Sequence, residues 1–345
     1  MNASTIRWTI PLVVLLASTG CRDSFDGAEL DGISTREGTG TCPVPGPLPF
    51  ETTSSSFESD ASNEWLTNNP YVTHSGQDLL GANAGNELSG TMTRSSGTLL
   101  TQRGVENEWV SAWRRDPAGG WVQLGRVKTD NQGNFTLPIP SDQSFDVGTG
   151  SVFSILEGDG TCTVHGVFVW PAGTQVILTD IDGTITFDDN ELLKQLMDDP
   201  GYVPKENQSA SEMLNTWADK GYRVVYLSAR PDNLRGISRE WLHGVGAPFG
   251  PFRTAGSFVY GESAREYKAD FIEYVKNDLG WQIVAAYGNA GSDIRAYEDA
   301  GIGKDVTFII GERAGESGTV AIGNNDYTDH ISSYVQSQPD AQQPF

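Results

Sequence analysis

Two hydrophobic rhythms divide this chain. Between about residue 85 and residue 172, apolar positions come in short β-branched and aromatic runs: "NEWVSAWRR", "GWVQLGRVKT", "GNFTLPIP", "SVFSILEG" and "CTVHGVFVWP". The turn signals "DPAGG", "DNQGN" and "EGDG" separate them. Runs of this length at this spacing predict an antiparallel β-sandwich over 85–172. "TDNQGNF" has the residues of a hairpin turn between two strands. Trp113, Trp121 and Trp170 read as core or edge packing, since no catalytic grouping accompanies them.

From about residue 174 the rhythm changes. "TQVILTD", "YRVVYLSA", "IVAAYG" and "VTFII" read as strands. "NELLKQLM", "SASEMLNTWADKG", "NLRGISREWLHGVG", "REYKADFIEYVKNDLG" and "SDIRAYEDAG" have helical spacing, several closing on Gly. This alternation predicts an α/β, Rossmann-like unit over 173–335, a parallel sheet with helices on both faces. Residues 336–345 read as a tail. In such sheets the site lies at the carboxyl ends of the strands.

The N-terminus has a third character. Arg7 precedes "WTIPLVVLLAS", an apolar stretch too short to span a membrane comfortably. "STGC" follows, and small residues before a Cys resemble a bacterial lipobox, in which Cys21 would be lipidated. Residues 1–20 are then a lipoprotein-type signal peptide; the alternative is a plain secretory signal cleaved nearby. Residues 21–84, rich in Gly, Ser, Thr, Asn and Asp, read as a tether. These features predict export and anchoring by the N-terminal lipid to a bacterial cell-envelope membrane, facing the periplasm or on the outer membrane. Cys42 and Cys162 remain and could pair in an oxidising setting, but nothing in the sequence fixes their distance.

Charge narrows the partners. The 345 residues carry a formal −22, which excludes a nucleic-acid partner that needs a basic field. Against that background, Tyr222 to Asp270 holds seven basic residues and five acids. That local excess predicts a positive island for an anionic substrate.

The polar residues at the predicted strand ends carry the chemistry. "VILTDIDGT" places Asp180 and Asp182 after the first strand, with Thr184 in the same turn. Buried carboxylates are costly unless paired or bound to a cation. "LSARP" adds Ser228 and Arg230; Lys268 lies on a later helix; "GNAGSD" adds Asn289 and Asp293. Asp180, the Asp182 backbone carbonyl and the Asn289 amide form an oxygen set suited to Mg2+. A carboxylate can act as a covalent nucleophile toward phosphorus while a second moves the proton. His243, alone near a helix end, reads as a surface residue. Asp188, Asp189, Asp198 and Asp199 read as a solvated loop, lacking EF-hand spacing.

Taken in order, DIDGT, Ser228, Lys268 and GNxxxD resemble the four motifs of the haloacid dehalogenase-type phosphatases. "YLSARP", "SREWL", "GPF" and "YGNAGSDIRAYEDAGI" are similar to the catalytic lobe of lipins and the related LNS2 domain. The preceding β-rich segment is reminiscent of the immunoglobulin-like part of lipin enzymes. The resemblance implies a magnesium-dependent phosphatidate phosphatase with Asp180 as nucleophile and Asp182 as general acid/base. Thr184 would orient the loop; Ser228, Arg230 and Lys268 would hold phosphate. Asn289 would ligate the metal, and Asp293 would act on it through water. A membrane phospholipid, phosphatidic acid, would be the substrate; no protein partner is implied. Two alternatives stay open: a phosphatase of a soluble phosphomonoester, and a non-catalytic phosphatidate-binding module. Only Thr186 to Tyr222 separate the first two strands, too little for a large cap.

Overall fold

The structure is a computed structural model that describes residues 57–59, 69, 71–81, 87–96, 101–116, 119–143, 145–197 and 202–344. The expectations for the leader, Cys21, Cys42, Asp198 and Asp199 lie outside the described residues.

Among the described residues the β-rich half has eleven strands. They are β1 (Tyr71–Val72), β2 (Ser75–Gly76), β3 (Leu79–Leu80), β4 (Glu87–Thr91), β5 (Thr93–Ser95), β6 (Arg103–Gly104), β7 (Trp109–Arg115), β8 (Trp121–Lys128), β9 (Asn134–Pro138), β10 (Gly148–Leu156) and β11 (Cys162–Val169). They form a five-stranded sheet, β3-β11-β10-β7-β8, and two three-stranded sheets, β2-β4-β9 and β1-β5-β6. Pairing is antiparallel except between β3 and β11. Leu88 and Leu137 meet Ala112, Leu124, Val152 and Val167 in the core between sheets. The "TDNQGNF" turn forms, with Asp130 Oδ1 accepting from the Gln132 and Asn134 amides, both at 2.8 Å. It does not close a hairpin: β8 and β9 join different sheets. The sandwich also starts earlier than the sequence reading places it. Strands over Tyr71–Leu80 fall in the expected tether, because buried hydrogen bonds by Thr73, His74 and Ser75 hold them rather than an apolar alternation. Cys162 is disulfide-bonded, its partner lying outside the described residues.

The second half carries β12 (Gln175–Thr179), β13 (Arg223–Pro231), β14 (Phe252–Ala255), β15 (Gln282–Gly288), β16 (Thr307–Ile310) and β17 (Val320–Ile322). All pairings are parallel, in the order β14-β13-β12-β15-β16-β17. The edge strands β14 and β17 lack the apolar run that marks the other four in the sequence pattern. Among the described residues six α-helices accompany the sheet: α1 (Asn190–Met197), α2 (Ala210–Asp219), α3 (Arg235–Gly244), α4 (Gly261–Glu273), α5 (Gly291–Asp299) and α6 (Thr328–Ser333). Alternate strand residues feed two cores. Ile177, Val224 and Tyr226 pack with Trp217 of α2 and Trp241 of α3. Val176, Leu178, Val225 and Leu227 pack with Ile272 of α4 and Tyr297 of α5. The expected tail is pinned: Gln343 bonds the backbone of Gln175 and Gly221.

The two halves share a core. Phe168 and Trp170, at the end of β11, belong to the second of those clusters. Trp281 donates from Nε1 to the Trp170 carbonyl at 3.0 Å. Polar contacts converge on Asp78. Its carboxylate accepts from the backbone of Gly166 in β11 and Phe252 in β14, both at 2.8 Å, and from Arg239. It also pairs with Arg235 at 3.1 Å. Arg235 is buried, which lowers its pKa to about 10 against the opposing pull of Asp78. Among the described residues, its Nε and Nη1 find no hydrogen-bond partner. Asp78→Ala leaves that cation buried and uncompensated, so a loss of about 3–5 kcal/mol is expected. Denaturant unfolding measures it; a loss below about 1 kcal/mol would refute the role.

His74 and His165 are buried in the β unit. Nδ1 of His74 accepts from the Thr93 amide at 3.0 Å, and Nδ1 of His165 meets the Gln77 carbonyl at 2.7 Å. Burial lowers both pKa values to about 4. The unfolded chain binds protons at these sites from about pH 6.5 downward, the folded one only near 4. Their contribution is therefore complete above pH 6.5 and lost as pH falls toward 4, at up to about 1.4 kcal/mol per pH unit per histidine. Urea midpoints at pH 7, 6 and 5 check this, and a flat profile there would contradict it.

Candidate active site

Asp180 ends β12, and its amide donates to the Tyr287 carbonyl at 3.0 Å. The chain then turns sharply through Ile181–Gly183. Thr186 Oγ1 accepts from the Gly183 amide at 2.9 Å. The buried Asn207 amide donates to the Thr184 and Thr186 carbonyls, both at 2.9 Å. Gly183 has φ 69°, and a Cβ there would lie 2.0 Å from Asn289 Nδ2. Only glycine lets the DxDGT turn and the Asn289 loop approach so closely.

Lys268 reaches the site from α4. Its Nζ donates to Asp180 Oδ1 at 2.8 Å and to Asp293 Oδ1 at 2.5 Å. Burial opposes the ammonium, but the two carboxylates outweigh it and hold its pKa above the ordinary lysine value. Burial also pushes the Asp180 carboxyl up to about 7, against the pull of Lys268. A divalent cation beside it would reverse that rise. Asp293 stands at the third position of α5 and reaches back. Its Oδ2 accepts from the amides of Asn289 and Ala290 at 3.1 and 2.9 Å, fixing the loop that presents Asn289.

Thr184 Oγ1 lies 3.3 Å from Asp180 Oδ2 and 3.4 Å from Asn289 Oδ1. Two of the expected metal oxygens therefore converge on one hydroxyl, and the donor set fits Mg2+. Among the described residues, no cluster of three or more His, Cys, Asp or Glu side chains is arranged for a metal. The expected set is of a different kind: one carboxylate, one amide and one backbone carbonyl.

Asp182 stands differently. Ser228 Oγ donates to its Oδ2 at 3.2 Å. Arg230 forks onto it, with Nη2 to Oδ1 at 2.7 Å and Nε to Oδ2 at 3.0 Å. Ser238 Oγ on α3 accepts from Arg230 Nη1 at 2.6 Å and sets the guanidinium plane. Arg230 and Ser228 were expected to hold phosphate; in this structure both hold Asp182. The expected positive island is likewise internal. Arg235 and Arg239 pair with Asp78, and Arg265 with Glu262 and Asp299. Five of the seven basic residues meet carboxylates instead of making an open field, while Arg253 is exposed. Asp189 is part of the site, accepting from Asn289 Nδ2 at 3.2 Å, rather than merely solvated. His243 is exposed in the last turn of α3. Asn207, Ser238 and Asp78 escaped the sequence reading, since lone polar residues outside the motifs carry no local signal.

Residues 177–311 match the family model "PITM 1-3, LNS2 domain". Membrane-associated phosphatidylinositol transfer protein 1 of Rattus norvegicus is 27 % identical over 194 residues, 56 % of this chain and 15 % of that protein. Protein retinal degeneration B of Drosophila melanogaster is 29 % identical over 216 residues, 62 % of this chain and 16 % of that protein. The chain thus spans under a fifth of these relatives' length. A solved structure of phosphoserine phosphatase in apo form is 15 % identical, with a TM-score of 0.34, covering 47 % of this chain and 98 % of that one. The matched segment holds the parallel sheet through β16, with Asp180, Ser228 and Asn289 at its strand ends and Lys268 on α4: over this segment the α/β half of the chain is similar to the LNS2 domain.

Proposed function

We propose that this protein is a magnesium-dependent phosphatidate phosphatase, hydrolysing phosphatidic acid to diacylglycerol and phosphate through a phosphorylated Asp180. The observation that carries the reading is the setting of that carboxylate. Oδ1 is bound by Lys268, while Oδ2 lies by the Thr184 hydroxyl that also approaches Asn289 Oδ1, at the carboxyl edge of the sheet. Asp180 attacks phosphorus and the bond to the glycerol oxygen breaks. Asp182, having turned out of the Arg230 fork and taken up a proton from solvent, gives that proton to the oxygen. Asp182 then takes a proton from water, whose oxygen attacks phosphorus, releasing phosphate and restoring Asp180. Lys268 stays charged and offsets the negative charge around the transferred group. Mg2+ at Asp180, the Asp182 carbonyl and Asn289, with Asp293 behind them, would supply further charge neutralisation. A lipid substrate is supported by the relatives, which by name are phosphatidylinositol transfer proteins. It is supported too by the small insert after β12, which leaves room for a bulky headgroup. In this reading Cys21 carries the lipid that keeps the protein on a cell-envelope membrane, and the disulfide at Cys162 suits an oxidising compartment.

A second reading, a phospholipid-binding module, is favoured by one observation: Asp182 is already engaged by Arg230 and Ser228. Phosphate release from phosphatidate vesicles, compared with nucleotide and sugar phosphates, with magnesium and after chelation, decides between them. The proposal expects phosphatidate to lead and chelation to abolish turnover. Binding without release would favour the module; release only from water-soluble substrates would make this a soluble phosphomonoesterase.

The two aspartates should separate by substrate. Asp180→Asn should abolish the phospho-enzyme and turnover on every substrate. Asp182→Asn should lose about 10²–10⁴-fold on phosphatidate, the worth of a positioned acid–base group. On an activated aryl phosphate, whose leaving group needs no proton, it should lose less. Single-turnover kinetics tests this, and near-normal turnover by Asp180→Asn would show the roles assigned wrongly. Arg230→Gln should lower kcat by up to about 10²-fold on phosphatidate through misplacement of Asp182. An unchanged kcat in a correctly folded variant would show the fork to be idle.

A further inference from the structure

Exposed apolar side chains are not scattered over this protein. Among the described residues nine large hydrophobic side chains are exposed, and six lie on two loops at one edge. Phe187, Leu193, Met197, Val203, Phe258 and Tyr260 are each between 47 % and 73 % exposed. The first four ride on the insert after β12. That insert is a built unit: Thr186 bridges Glu206, the Phe187 amide donates to the Lys205 carbonyl at 2.8 Å, and buried Glu191 accepts from Tyr202 and the Lys205 amide. The Asp189–Asn289 bond ties it to the site. Phe258 and Tyr260 stack, with ring centroids 6.1 Å apart and planes at 2°, on the loop between β14 and the helix that carries Lys268. β13, which carries Ser228 and Arg230, lies between β12 and β14 in the sheet. The two apolar loops therefore flank the opening of the candidate active site.

A soluble enzyme normally scatters its surface hydrophobes singly, and clustering marks an interaction surface. Charge does little to draw this edge to an anionic surface, because the net charge is −22 and Lys194, Arg230 and Arg265 are held in ion pairs, although Lys205 and Arg253 are exposed. A protein partner seated here would cover the opening that substrate has to enter. A bilayer would not, since it delivers a phosphate group and apolar chains at the same depth. The chain between Cys21 and Phe57 has a contour of at most about 120 Å. That is long enough for the edge to turn toward the membrane that an acylated Cys21 would hold.

We propose that these two loops form a docking rim that inserts into the interface of a zwitterionic bilayer carrying sparse phosphatidate, held by apolar burial rather than by charge. The proposal rests on the phosphatidate reading for its substrate, but docking and catalysis are measured separately. The test uses the full chain with Cys21→Ser, so that no acyl chain contributes, and sedimentation with phosphatidylcholine vesicles holding a small fraction of phosphatidate. Leu193→Ser with Met197→Ser, and Phe258→Ser with Tyr260→Ser, should each weaken vesicle binding by roughly tenfold or more. High salt should not weaken binding of the parent protein. Variants that bind like the parent, or a parent stripped off by salt, would overturn the proposal. So would loss of a dimer in the variants with vesicle binding unchanged, which would make the rim a contact between copies. Phosphate release from phosphatidate in detergent micelles reports on catalysis alone: docking without release there would defeat the functional reading and leave the rim standing.

Discussion

One carboxylate, contributed by the β unit, organises the α/β unit. Asp78 binds the backbones of β11 and β14 and the two arginines of α3. Arg235 is a buried cation with few other options, so α3 is fixed where Asp78 can answer its charge. The line continues inward. Ser238 on the same helix sets Arg230, and Arg230 sets Asp182. The β unit touches the next loop as well, through Ser75 and Gln77 on Asp232 and Gln102 on Asn233. None of the proposed catalytic residues lies in the β-rich half, yet the orientation of Asp182 traces back to it.

The site itself is a balance of charge. Lys268 serves two carboxylates, and both are buried with it. That leaves the group short of positive charge once a phosphoryl group arrives, which is the physical case for a divalent cation at the Asp180–Asn289 oxygens. An amide rather than a carboxylate at position 289 keeps that shortage from growing. Its Nδ2 can then serve Asp189 while Oδ1 faces the cation position.

Much of this was legible before the structure. The four central strands, five of the six described helices and the carboxyl-edge placement of Asp180, Asn289 and Asp293 follow from periodicity and the motif order. What stayed hidden is of another kind. Strands β1 to β3 are two residues each and rest on polar pairing, so no alternation announces them. The basic stretch from Tyr222 to Asp270 looked like an open field, because sequence reports charges and not the carboxylates that meet them in space. Arg230 illustrates this best: its neighbourhood suggested phosphate, while its nearest anion is Asp182, forty-eight positions earlier.

The Asp78–Arg235–Arg239 junction also bears on inheritance and modular reuse. If the α/β half were transplanted alone onto another protein, it would carry a buried guanidinium stripped of its counter-charge. Recombination that separates the halves is therefore penalised unless position 235 changes in the same event. Among descendants of this chain, residues 78, 235 and 239 should vary as a set, so that their joint presence would mark lineages in which the two halves have travelled together.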